Sequence, residues 1–165
     1  MMAHIRNFCL GDEPLLRAVF FSSVHELACR DYSAAQLSAW APLEYDLQAW
    51  QERMRAIQPF VAEIDGCPVG YADLQTSGYI DHFFVAASHA GQGVGRALMA
   101  HIFRQALQRD IAALSADVSL TAEPFFASNG FVVATRQEVL IRGATLSNAL
   151  MKKEHPQLLK SCSAI

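Results

Sequence analysis

Three glycines at alternate positions, in Gly91-Gln92-Gly93-Val94-Gly95-Arg96, are the residues whose spacing most plainly serves chemistry. Glycine lets the backbone approach a ligand closely and turn successive N–H groups the same way, and a helix N-terminus adds a dipole that favours negative charge. The pattern asks for a phosphate. Two phosphate signatures fail letter by letter. A dinucleotide fingerprint beginning at Gly91 needs glycine where Arg96 stands, and one beginning at Gly93 needs a small residue where Leu98 stands. A Walker loop needs Lys and then Ser or Thr after its last glycine, where this chain has Arg96-Ala97. Just upstream, Tyr79, Asp81 and His82 are titratable groups within one aromatic and β-branched run, Tyr79 to Val85. If that run is a strand, alternation puts Tyr79 and Asp81 on one face and His82 on the other.

The elements that must position these groups are legible from periodicity. Tyr79 to Val85 reads as a strand, Ala86 to Ala90 as a connection, and the stretch from Ala97 to about Arg109 as an amphipathic helix. Ahead of them, Ile5 to Leu10 alternates as a strand, and Gly11-Asp12-Glu13-Pro14 opens a helix at Asp12 or Glu13 that runs to about Cys29, with Leu15, Leu16, Val19, Phe20, Val24 and Leu27 close to its apolar stripe. Asp31 to Ala41 holds a helix with Ser33 as cap, ended by Pro42, and Asp46 to Ile57 holds another. Phe60 to Ile64 and Pro68 to Leu74 form a hairpin around Asp65-Gly66. Thr76-Ser77-Gly78 then turns into the Tyr79 strand as a third antiparallel neighbour. After the long helix come a strand over Ala112 to Val118 and a short helix over Thr121 to Asn129, with Thr121 as cap and Gly130 at its C′ position. Two strands, Phe131 to Ile141 and Ala144 to Lys152, meet at Arg142-Gly143, and a tail begins at Glu154. This order is an α+β layout with helices on the faces of a sheet.

With 165 residues, 52% hydrophobic and 18% charged, the chain supports one domain over 1–153 with a substantial core. A net charge of −3 and no run of like charge give nucleic acid no footing. Cys9, Cys29, Cys67 and Cys162 are scattered without a CxxC pair, so neither a zinc site nor a disulfide frame is expected and the cytoplasm is the expected compartment. His25-Glu26 has Cys29, not His, four residues after His25, so a metalloprotease pair is missing. The N-terminus carries Asp12 and Glu13 and no long apolar run, so no signal peptide and no membrane span is expected.

The glycine stretch resembles the coenzyme A signature of the GNAT superfamily of N-acetyltransferases: a strand ending in Val, a short connection, then Arg or Gln, two residues, Gly, one residue, and Gly or Ala. Gln92 to Leu98 matches its core, while Ala90 stands where Arg or Gln is usual. A second stretch, Ala122-Glu123-Pro124-Phe125-Phe126-Ala127-Ser128-Asn129-Gly130-Phe131, is similar to the family's Ala, two residues, Phe-Tyr, three residues, Gly-Phe. The element order also resembles that of the family over nearly the whole chain, least over residues 12 to 57. The fold implied is the acyl-coenzyme A N-acyltransferase fold, a mixed, mostly antiparallel sheet of about seven strands with helices on both faces.

The resemblance implies acetyl-coenzyme A as co-substrate, no metal, and a small-molecule or peptide amine as acceptor; it leaves a homodimer open. It puts pantetheine along Phe83, Phe84 and Val85 as an added strand, pyrophosphate on the amides of Gly91, Gln92, Gly93, Val94, Gly95 and Arg96, and Phe125 and Phe126 against the coenzyme. A carboxylate on the Tyr79 strand often serves the family as base; Tyr79 is the nearer match in position and Asp81 the better chemical type. The same carboxylate could equally pair with an Arg or cap a turn. Ser119 occupies the place where many members have Asn and could reach the thioester, or bond its own backbone instead. A backbone N–H near Val85 is the expected oxyanion donor. Phe126 stands where many members place the Tyr that protonates the leaving thiolate, so a binder of acyl-coenzyme A that transfers nothing is the alternative reading. Trp40, Tyr32, His25 and Trp50 lie in the variable helical part and wall either an acceptor pocket or the core.

Overall fold

The computed structural model describes residues 2–154. The expected tail lies outside the described residues from 155 onward, as does Cys162. The elements in chain order are β1 (His4–Asn7), α1 (Glu13–Ser22), α2 (Ala34–Trp40), α3 (Leu47–Ile57), β2 (Phe60–Ile64), β3 (Cys67–Ala72), β4 (Tyr79–Ile80), β5 (Phe83–Val85), α4 (Val94–Gln108), β6 (Ala113–Ser119), α5 (Glu123–Ser128), β7 (Val132–Ile141) and β8 (Ala144–Glu154). They form two four-stranded sheets, ordered β1-β2-β3-β5 and β4-β6-β8-β7. All pairings are antiparallel except β4 with β6, where Tyr79 faces Ser115 and Ile80 faces Ala116.

The α+β class stands, with eight strands across two sheets rather than about seven in one. The difference lies at the functional stretch. The expected single strand from Tyr79 to Val85 is divided at Asp81–His82, its first part pairing with β6 and its second with β3. The first helix also departs from the regular pattern: after Ser22 it continues as a π-turn over Ser23–Leu27 and a 3₁₀ turn over Ala28–Arg30.

Local chemistry accounts for several element ends. Ser33 and Gln36 form a capping box at α2, and the Asp46 side chain accepts the Ala49 N–H at the start of α3. Asp65 and Gly66 both take positive φ, which suits a tight hairpin turn. Two expected caps are spent elsewhere. The Asp12 carboxylate pairs with Arg6 and accepts the Cys9 N–H, and the Thr121 hydroxyl donates to Asp31 Oδ2 at 2.7 Å.

The sheet alternation divides the core. Ala62 and Ala72 face Leu98, Met99 and Ile102 of α4, whereas Val61 and Tyr71 face Leu16, Val19, Trp50 and Met54 of α1 and α3. Each fully buried Leu, Ile or Met contributes roughly 1.5–3 kcal/mol of transfer free energy, so both layers clamp the sheet on which the site is built.

Candidate active site

The break in the strand has an identifiable cause. Asp73 is fully buried, and its Oδ1 accepts the N–H groups of Asp81 at 2.8 Å and His82 at 2.7 Å, while its own N–H donates to the His82 carbonyl at 3.1 Å. A carboxylate thus replaces a ladder partner at two successive amides, and the chain turns from β6 toward β3. Burial pushes the Asp73 carboxyl up to about 6. Past the break β5 pairs with β3 and not with β6, which leaves an opening between Phe83–Phe84 and Val118–Ser119, all four of which line one small cavity. The His82 carbonyl and the Ala86 N–H both bond to β3 or its continuation. By alternation the N–H and C=O groups of Phe83 and Val85 face the opening.

A cleft of about 470 Å³ lies on one side of that opening, walled by β5, the glycine loop, the first turn of α4 and the α5 aromatics. Gly91 and Gly93 have φ of 73° and 85° with open space where a Cβ would stand, so backbone conformation is what requires glycine there. At Gly95 the requirement is contact, because a Cβ would meet the Phe125 ring at 3.3 Å. The first main-chain bond of the helix start runs from Ala97 N–H to Gly93 O at 3.0 Å. Among the described residues, the N–H groups from Gly91 to Arg96 therefore have no main-chain acceptor and sit at the positive end of a 15-residue helix. Val94, Gly95 and Arg96 line the cleft, whereas the Gln92 side chain folds onto the Ser88 carbonyl at 3.3 Å. Phe83 packs tilted against Phe125 and edge-on against Phe126, at centroid distances of 5.4 and 5.5 Å.

A second cavity of about 50 Å³ lies through the opening and shares Trp40, Phe83, Phe84, Ser119, Ala122 and Phe126 with the cleft. Asp81 and Asp117 are its carboxylates. Asp81 Oδ2 is ion-paired with Arg53 of α3 and lies 3.5 Å from His82 Nε2. Simple alternation would put Asp81 and His82 on opposite faces; the break brings them together. His82 Nδ1 is 3.0 Å from the Tyr71 hydroxyl, and the ring is packed among Phe20, Trp50 and Phe84. Burial pushes the imidazole down to about 4, so it is neutral at pH 7. The Tyr79 hydroxyl donates to Asp117 Oδ2 at 2.7 Å, and Gln137 Nε2 donates to Oδ1 of the same carboxylate at 2.5 Å. Burial first, and then that bond to Asp117, hold the Tyr79 phenol well above its ordinary range, and Tyr79 lines neither cavity. Ser119 lines both cavities while its Oγ accepts the Ala122 N–H at 3.1 Å.

Neither cavity is lined by a Tyr or a Cys among the described residues, and the hydroxyls that reach them are those of Ser23, Ser119 and Thr121. Tyr32 donates to the Ser147 carbonyl at 2.6 Å and is part of the core, as is Trp50, whose indole N–H donates to the Glu13 carbonyl. His25 stacks on Phe21 and contacts the Ala41 carbonyl at 2.7 Å. Of the four helical aromatics only Trp40 reaches both cavities. Arg30, His89, Arg53 and Asp117 are site residues that sequence spacing does not single out. Arg30 and Arg53 stand far upstream of the glycine loop, and no motif ties them to it.

A split strand, a helix start whose amides lack main-chain acceptors and two cavities with six shared wall residues thus meet around β5. The family profile of the acetyltransferase (GNAT) domain matches residues 28–154. The chain is 36% identical over 148 residues to YafP of Escherichia coli K12, an uncharacterised N-acetyltransferase, covering 90% of this chain and 93% of that one. A crystal structure of a GCN5-related N-acetyltransferase from Rhodopseudomonas palustris superposes with a TM-score of 0.89 at 31% identity, covering 93% of this chain and 96% of the other. More distant, at 17% identity and a TM-score of 0.72, is the PaiA N-acetyltransferase of Thermoplasma acidophilum in complex with coenzyme A, with 93% and 99% covered. The chain belongs to the GNAT superfamily of acetyltransferases.

Proposed function

We propose that the protein transfers an acetyl group from acetyl-coenzyme A to a primary amine of a small molecule or peptide, directly, in a ternary complex. The observation that carries this reading is the convergence of the free strand edge of Phe83–Val85 and the unsatisfied amides of Gly91–Arg96 on one cleft. The strand edge suits the pantetheine amides, and the helix start, with Arg96, suits the pyrophosphate. Arg30 and His89, on the same wall, are further candidates for the phosphates and can supply the polar side chain that Ala90 lacks. Complexes of relatives with coenzyme A or acetyl-coenzyme A support the choice of ligand.

In the proposed reaction the amine nitrogen attacks the thioester carbonyl, a C–N bond forms, the C–S bond breaks and coenzyme A leaves as thiolate. Asp81 takes the amine proton, directly or through water, once the acceptor displaces Arg53 from its carboxylate. Val85 N–H steadies the oxyanion, and Ser119 Oγ can donate toward the same region, since its existing bond uses it only as acceptor. Tyr79 acts by holding Asp117 rather than by exchanging a proton. A thiol of pKa roughly 8.5 leaves tolerably without a general acid, so Phe126 does not forbid turnover.

Phe126 does favour the second reading, a silent acyl-coenzyme A binder. Thiol release separates the two. Coenzyme A freed from acetyl-coenzyme A in the presence of one or more amines from a broad panel supports the transferase. Thermal protection by the coenzyme with no thiol release overturns it in favour of the binder. Asp81→Asn is expected to lower kcat/KM by about 10²- to 10⁴-fold, the range of general-base catalysis. A rate within a few-fold of the parent removes Asp81 from the role.

A further inference from the structure

We propose that Trp40 is the specificity-determining residue that limits the transferred acyl group to acetyl; this rests on the coenzyme lying along β5 as above. Trp40 lines both the cleft and the small cavity beyond it, beside Phe84, Ser119 and Phe126, the junction at which a thioester entering along Phe83–Val85 ends. The space beyond that junction is about 50 Å³. That is room for about three to five water-sized groups at roughly 10–15 Å³ each, and an acyl group shares it with the amine that approaches Asp81, which suits a methyl and a carbonyl rather than a longer chain. Its other walls are the carboxylates Asp81 and Asp117, Phe83 and Ala122, and Ile80, Ala116 and Val118, the last three being core residues of the paired strands with little room to retreat.

A side chain sets a size limit only if it cannot swing away, and Trp40 is fixed from several directions. Its ring packs edge-on against Tyr32 at 5.6 Å and tilted against Phe84 at 6.2 Å. Its helix is tied to β8 by Gln36 Nε2 donating to the Thr145 carbonyl at 2.9 Å. The carbonyls on either side are each held by a different element. Arg142 from the β7–β8 turn donates to Ala39 O, His25 from the π-turn contacts Ala41 O at 2.7 Å, and Arg17 from α1 donates to Pro42 O at 2.7 Å. Arg17 is 8% exposed and lies over the rings of Tyr45, Phe20 and Trp50 at 4.0, 5.1 and 5.0 Å, with its Nε unpartnered. A buried guanidinium spent on one carbonyl makes sense as a clamp on the segment that leaves α2, just past its C-cap Ala41.

The test is calorimetric titration of the parent, Trp40→Leu and Trp40→Ala with free coenzyme A and with its acetyl, propionyl, butyryl and hexanoyl thioesters, which needs no acceptor. For the parent, affinity is expected to fall by about tenfold or more per added methylene, within the 10- to 200-fold range of a tight apolar pocket. In both variants butyryl-coenzyme A is expected to recover to within a few-fold of the acetyl form. With an accepted amine in hand, the butyryl-to-acetyl ratio of kcat/KM should rise in the same variants. Chain-length indifference in the parent, or rejection that persists in both variants, overturns the inference. Failure of free coenzyme A to bind the parent overturns instead the coenzyme reading on which it rests. If Trp40→Ala does not fold, Trp40→Leu, which keeps an apolar side chain against Tyr32, carries the comparison alone.

Discussion

Asp73 and His82 are bonded neighbours whose titrations pull stability in opposite directions. Asp73 is pushed up to about 6 from an ordinary value near 3.8, so the folded state holds its proton more tightly. Its contribution is present in acid and lost as pH rises from about 4 to about 6, worth about 3 kcal/mol at 1.36 kcal/mol per pKa unit. His82 is pushed down to about 4 from about 6.5, so the unfolded chain binds the proton more tightly. Its contribution is present above pH 6.5 and lost as pH falls toward 4, again about 3 kcal/mol. The two slopes nearly cancel in the parent between pH 4 and 6. His82→Gln should leave the Asp73 slope exposed, so that the variant gains stability on acidification from pH 6 to 4.5. Asp73→Asn, whose amide oxygen still accepts both N–H groups, should instead lose stability more steeply than the parent over the same range. Urea midpoints at pH 4.5, 5.5 and 6.5 read the three curves; parallel curves would assign the titrations elsewhere.

At the scale of elements, the loop and the start of α4 carry the strongest demand on residue type. Gly93 caps the helix at φ 85°, where an L side chain costs roughly 1–2 kcal/mol, and its neighbours present the amides from which the proposed phosphate contacts come. Gly93→Val is therefore expected to weaken coenzyme A binding by about tenfold or more, since each 1.4 kcal/mol is tenfold. Gly95→Ala keeps an ordinary backbone and asks only that the Phe125 ring shift slightly, so its loss should be smaller. Calorimetry on both variants tests the order, and equal losses would assign the requirement to side-chain space. These glycines were legible because turn and helix-start chemistry is local, as were the Asp65-Gly66 hairpin and the Ser33 and Asp46 caps. The division of the Tyr79–Val85 run was not legible. It is imposed by the Asp73 carboxylate, which stands eight residues before Asp81 in the chain and reaches it only across the folded sheet. The same holds for Asp12 and Thr121, whose cap-like types are spent on Arg6 and Asp31, and for Arg53 and Asp117, which reach the site through tertiary packing alone.

For the whole molecule, the consequence is that the site lies between two sheets with no strand pairing between them: the pairs Tyr79 with Ser115 and Ile80 with Ala116 lie within one, and the chain crosses to the other at Asp81–His82. Beyond those pairs, β5 belongs to one sheet and the end of β6 to the other, and the shared helical layers hold them together. A coenzyme bonded to the Phe83–Val85 edge and packed on Ser119, Phe125 and Phe126 touches both sheets, so its binding free energy couples to the stability of the entire fold. At coenzyme A concentrations near 100 times Kd the stabilisation is about 2.7 kcal/mol, which for a domain of this length corresponds to a rise of roughly 5–11 °C in Tm. Amide hydrogen exchange should slow on both arms of the opening together, at Phe83 and Val85 on one side and over Val118 to Thr121 on the other. Protection of the glycine loop alone, with both arms unchanged, would mean that phosphate is held and pantetheine is not. The proposed transfer would then lose its rail while the anion site remained. Because this response needs binding and no turnover, it separates the coenzyme site from the catalytic roles proposed for Asp81 and Ser119.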